Sequence, residues 1–364
     1  MDSPTTPLAE TGLPPAMPAG AEAAGRLAYL DVLRVAAIAG VVVIHVAARH
    51  VDVRAAPDLS WWTGNLWDAA VRWCVPVFVM LSGALLLTGP EMPIGRFYAR
   101  RLPKILVPLL FWSLAFYLFV KLSDHAPLES GGFLGGLLGG GILNRYWFLY
   151  MILWLYLSAP FLRPVAVLLE GAYLRVFLCL WLLASSLRPL LHSLWGISIA
   201  GGDSLFAEYL GFFLLGAILH RQQTPGWLAR GALLLFVAGF LLTAVGTGLL
   251  QHARESFQDV FYRYGSPGVV AMAVGVFVIG KQRFGLRTTG DAVIRLARLS
   301  FGIYLIHTFV QIVLDRPQYG IELARRLGSP LVDIPVQAVI VWGVSAALAL
   351  ALGRIPWVSR VVGL

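Results

Sequence analysis

Two residues of the first long apolar segment could do chemistry together: Arg34 and His45, in LDVLRVAAIAGVVVIHV, eleven positions apart. At about 100° and 1.5 Å per residue, eleven steps return two side chains to within about 20° of one another and separate them by roughly 16 Å along a helix axis. Both therefore look the same way, at two depths. In lipid such groups are costly unless they face a bundle interior or a water-filled cavity, so the pair reads as a functional site within a membrane. The plainer alternative is a buried structural pair. A neutral imidazole can take a proton from a hydroxyl, and a guanidinium can hold an anion.

Other candidates follow along the chain. Asp68 and Arg72 stand at i and i+4, spaced for an ion pair that either neutralises itself or serves catalysis. Arg96, Arg100, Arg101 and Lys104 form a basic run, with Arg96 and Arg100 on one helical face suited to phosphate oxygens. The commoner reason for such a run is an anchor at the cytoplasmic end of a span. Trp147 fits an interfacial aromatic belt. Glu208 is the one carboxylate expected well within an apolar window, where it needs a partner or stays protonated. Ser300, Tyr304 and His307 fall at i, i+4 and i+7 and share a face, either lining a polar channel or bonding helices together.

The elements that must position these groups are helices in a bilayer. Of 364 residues, 58% are hydrophobic and 13% charged, against about 25% charge in an ordinary soluble domain. Mean hydropathy is +0.76. Ten apolar windows stand out, at 29–48, 68–88, 105–121, 146–162, 173–190, 204–219, 228–250, 266–280, 296–314 and 331–352. Each is near the roughly 20 residues that cross a membrane. The expected fold is an all-α polytopic bundle of about ten transmembrane helices, occupying residues 26–364. Residues 1–25, rich in proline and without a base, lack the basic and apolar regions of a signal peptide and read as a disordered tail.

Charge sets the expected orientation. With the N-terminus inside, 16 Lys and Arg fall on the inner side and 10 on the outer, with Arg34 and Arg72 inside spans. That asymmetry places both termini in the cytoplasm. The net charge of +9 is thus an orientation signal, and no nucleic-acid partner is expected. Pro76 should kink or break the second span and free backbone groups there. Seven glycines within 131–141 suggest a re-entrant segment or a plain linker. Cys74 and Cys179 lie in spans, and neither CxxC nor HExxH spacing occurs, so no metal is expected.

In order along the chain, LDVLRVAAIAGVVVIH, RWCVPVFVMLSGALLL, FYARRLPKILVPLLFW, YWFLYMILWLYLSAP, YLGFFLLG and LSFGIYLIH resemble the acyltransferase family 3 membrane proteins, bacterial multi-pass enzymes that acylate extracytoplasmic glycans. The resemblance covers roughly residues 26–353, in the small form without an appended domain. It implies a bacterial inner-membrane enzyme that takes an acyl group, usually acetyl, from cytoplasmic acetyl-CoA or another acyl-CoA. The acceptor it implies is a hydroxyl of a glycan or lipid-linked sugar. His45 would be the catalytic histidine and Arg34 its partner, while Arg96, Arg100 and Arg101 would hold the acyl-CoA. Direct transfer and an acyl-histidine intermediate both remain open. The rival expectation is a proton-coupled transporter or flippase of an anionic lipid or sugar, using Arg34, His45 and Glu208 as a relay.

Overall fold

The structure is a computed structural model that describes residues 27–51, 58–124, 132–139, 146–199, 205–254, 256–285, 287–315 and 329–363. The tail at 1–25 lies outside them. Among the described residues the chain is helical: α1 (Ala28–Val51), α2 (Leu59–Val71), α3 (Cys74–Thr88), α4 (Ile94–Arg101), α5 (Pro103–Asp124), α6 (Gly132–Gly139), α7 (Trp147–Leu168), α8 (Gly171–Leu182), α9 (Arg188–Trp195), α10 (Leu205–Arg221), α11 (Gly226–Arg254), α12 (Pro267–Phe284), α13 (Asp291–Asp315) and α14 (Pro330–Gly353). A π-helical turn, Leu183–Leu187, joins α8 to α9.

Among the described residues, nine stretches are long and apolar enough to cross a membrane, counting α2 with α3, α4 with most of α5, and α8 with α9 as single spans. The remaining window corresponds to α10, 17 residues long, at the short end of what a bilayer accepts. This is a multi-pass membrane protein. Its surface fits that solvent: Trp154, Leu168, Val176 and Leu234 stand outward on helices whose backbone groups are satisfied internally.

Helix α1 is the hub. It packs against α2, α3, α12, α13 and α14, so the side chains on its polar face sit at the centre of the bundle. Helix α3 lies against α10 with Gly83 on the backbone of Phe213 and Gly216 on that of Met80, an approach any Cβ would block. Small residues allow such contact where lipid supplies no hydrophobic drive between helices. Helix α13 is tied to α1 by Gln311, whose Nε2 donates to the His45 carbonyl at 2.8 Å.

The second span is broken where Pro76 demands it. A proline removes the bond to the carbonyl four residues back and clashes with it, and that carbonyl belongs to Arg72. Helix α2 ends at Val71, Arg72 and Trp73 form a turn, and α3 begins at Cys74. Of the glycine-rich stretch, residues 132–139 form the short, exposed α6, where Tyr150 donates to the Leu137 carbonyl at 2.7 Å.

Candidate active site

A cavity of about 1010 Å³ runs through the bundle. Arg34 and His45 both line it, as the eleven-residue spacing on α1 requires. A void larger than most ligand pockets is what makes an arginine and a histidine tolerable at these depths.

One end of the cavity is basic. Arg34 from α1, Arg100 and Arg101 from α4, Lys104 from α5, Arg298 from α13 and Arg360 from the C-terminal turn all line it, and among the described residues no carboxylate does. Six cations from five segments with no lining anion make a site for a multiply charged anion. Arg34 keeps a nearby aspartate one turn back, Asp31 Oδ1 at 3.5 Å from Nη1. A second chamber of about 580 Å³ opens beside the first and shares Arg34 and Arg298 with it. Helix α4 is held there by Tyr98, which donates to the Leu157 carbonyl of α7 at 2.7 Å. Arg96, expected with this cluster, is exposed on α4 and is not among the cavity-lining residues, whereas Arg100 and Arg101, a turn further along the same helix, are.

The other end is built of rings. His45 stacks on His307 of α13, centroids 5.2 Å apart and planes 28° apart. The buried His307 sets its Nδ1 at 2.6 Å from the Tyr304 carbonyl and 3.2 Å from that of Ile303. Carbonyls only accept, so Nδ1 carries the proton and the ring orientation is fixed. From His307 the aromatic wall continues through Tyr304 and Phe148 to Trp147, which stacks on Tyr264 at 5.9 Å and 28°. Trp147, Ser300 and Tyr304 line the cavity, as do Phe148 and Tyr264. The single face predicted for Ser300, Tyr304 and His307 is thus the cavity wall at two positions and the support of His45 at the third.

Three candidates stand apart. Asp68 and Arg72 are not cavity residues; they form a buried two-toothed pair, Arg72 Nε to Asp68 Oδ1 at 2.5 Å and Nη2 to Oδ2 at 3.0 Å. The guanidinium lies over the Tyr262 ring, 4.1 Å from its centroid. Glu208 sits in the first turn of α10, not deep in a span, and its Oε1 accepts from the Gly265 amide at 2.5 Å. It does not orient a histidine through that oxygen; it holds a turn.

Tyr264, Arg298 and Arg360 complete the cavity without having been singled out as site residues from the sequence. Tyr264 belongs to a connection between spans, where no periodicity marks a facing side. Burial pushes its phenol above the ordinary value, so it remains an O–H donor. Arg298 was legible only as one of several inner-side bases; it stands two residues before Ser300. No group of three or more potential metal ligands occurs among the described residues.

The family model of acyltransferase family 3, described as an acyltransferase domain, matches residues 27–354. No curated protein and no solved structure matches the chain.

Proposed function

For a chain that belongs to acyltransferase family 3, we propose the transfer of an acyl group, most simply acetyl, from cytoplasmic acyl-CoA to a hydroxyl of an extracytoplasmic or lipid-linked glycan. The observation that carries this reading is one cavity with six cations at one end and His45 at the other. Coenzyme A is a phosphate-rich nucleotide on a long, uncharged arm ending in a thioester. The basic end suits the phosphates, and the arm would reach inward past Arg34 toward His45, roughly 16 Å further along α1.

The chemistry assigned to His45 is general-base catalysis. Its imidazole accepts the proton of the acceptor hydroxyl as that oxygen attacks the thioester carbonyl. The new C–O bond forms, the C–S bond breaks, and the imidazolium returns the proton to the departing CoA sulfur. His307, fixed through its Nδ1 and stacked on His45, holds the base in place. Among the described residues no carboxylate lines the cavity to repel phosphate, which supports a CoA donor. In this reading the membrane is a bacterial inner membrane, the basic end faces the cytoplasm, and both termini lie there.

Purified protein supplied with acetyl-CoA should release free CoA, and His45→Ala should lower that turnover by about 10²- to 10⁴-fold while thermal unfolding stays close to wild type. Wild-type turnover in the variant would remove His45 as the base. A wild-type protein that leaves acetyl-CoA intact, yet moves an anionic lipid across vesicles, would favour the transporter. For orientation, cysteines replacing Arg96 and Arg287 should react only with a cytoplasmic reagent and one replacing Leu134 only from outside; a common side for all three would overturn the topology.

A further inference from the structure

The connection between α11 and α12 does something that connections rarely do: it turns into the protein. Inter-span loops normally keep to the surface, where water satisfies their backbone. Here Val260, Tyr262, Gly265 and Ser266 are buried. The backbone closes on itself through Tyr262 N to Asp259 O at 2.8 Å and Ser266 N to Arg263 O at 2.9 Å, and Ser266 Oγ donates to Phe261 O at 2.9 Å.

Two clamps fix this turn on either side of Tyr264. On one side Tyr262 Oη donates to Asn65 Oδ1 at 2.6 Å, and its ring is covered by Arg72, which Asp68 holds. On the other side the Gly265 amide donates to Glu208, and the Gly265 carbonyl accepts from the Ser186 hydroxyl in the π-helical turn. Only glycine fits at 265, since a Cβ would run into the Ser185 carbonyl. The π turn is itself explained by this contact, because its extra width brings Ser185 and Ser186 against the loop; such turns recur at functional sites. Of the two side chains between the clamps, Arg263 and Tyr264, it is Tyr264 that stacks on Trp147 and lines the cavity.

We propose that Tyr264 is a specificity-determining residue for the acyl acceptor, and that the Asn65–Tyr262 and Glu208–Gly265–Ser186 clamps are positioning residues that present it. This rests on the acyl-transfer reading above. The aromatic end of the cavity lies away from the cations that suit the donor, on the side where the connection 256–266 faces the compartment opposite the basic end. A rigid ring pair there sets which acceptor can bring a hydroxyl to His45. A wall that must discriminate shape has to be fixed more tightly than thermal motion of a free loop allows, and the two clamps supply that.

The test separates acceptor from donor. Membrane vesicles from the producing cell, which carry the native acceptor, are supplied with radiolabelled acetyl-CoA, and label fixed on membrane material is compared with label released as acetate, water then being the acceptor. Tyr264→Ala should shift that ratio toward acetate by about tenfold or more, while Tyr264→Phe, which keeps the ring, stays within about threefold. Glu208→Ala should shift it the same way, and Glu208→Gln should restore it because the amide oxygen still accepts from Gly265. An unchanged ratio in Tyr264→Ala overturns the proposal, as does a wild type that hydrolyses acetyl-CoA but labels no acceptor. Parallel loss of transfer and hydrolysis, together with lost CoA binding, would make the turn a mere prop. A wild type that neither transfers nor hydrolyses would instead sink the acyl-transfer reading itself.

Discussion

Arg34 and Arg72 look alike in the sequence. Each is an arginine in or at the end of a membrane helix, with an aspartate three or four positions before it. In the structure they are opposites. Arg72 closes on Asp68 with two bonds, lies over the face of Tyr262, and has a partner carboxylate with no exposure. Arg34 has Asp31 Oδ1 3.5 Å from its Nη1, is part-exposed, and lines two chambers. The difference teaches that spacing identifies the pairing but not its purpose. A guanidinium whose donors converge on one buried carboxylate away from any cavity is a lock, while one that lines a void stands where an anion can reach it.

The sharpest way to break this contrast is to remove each arginine and read stability and activity separately. Arg72→Met should destabilise by about 3–5 kcal/mol, since it strands a fully buried Asp68 without its partner. Thermal unfolding in detergent would show it, and an unfolding temperature near wild type would deny the locking role. Arg34→Met should leave unfolding close to wild type but lower acetyl-CoA turnover by about 100-fold, equivalent to about 2.7 kcal/mol. Equal effects of the two substitutions on melting would erase the distinction.

A smaller effect extends the comparison to the mouth of the cavity. Arg100→Gln together with Arg101→Gln should weaken CoA binding by about tenfold and flatten its dependence on salt, because charge-assisted contacts to phosphate are lost. Titration of CoA into wild type and double variant at two salt concentrations decides it. Unchanged affinity would return those arginines to the role of a membrane anchor.

The same two regions mark how far the sequence could be read. The helices were legible because a bilayer imposes length and apolarity on each one separately: the windows at 29–48 and 296–314 coincide with α1 and α13, and Pro76 announced the break at Arg72. The site was legible where helical periodicity fixed a face, so that Arg34 with His45 and Ser300 with Tyr304 reach one cavity. Periodicity also grouped Arg96 with Arg100, and both are exposed on α4, but of the two only Arg100 is far enough along the helix to line the cavity.

Tyr264 shows the other limit. Nothing around YRYGSP distinguishes that tyrosine from its neighbours, because its position depends on Asn65, Arg72, Ser186 and Glu208, which approach from other helices. By itself the sequence determined that this chain is a bundle of membrane helices with a polar seam on α1, since the energetics of lipid act on each segment and leave their mark in composition and period. Which polar residues face the cavity and which lock the wall around it was decided only by tertiary packing. Direction, burial and partner are properties of two or more elements meeting, and no single segment carries them.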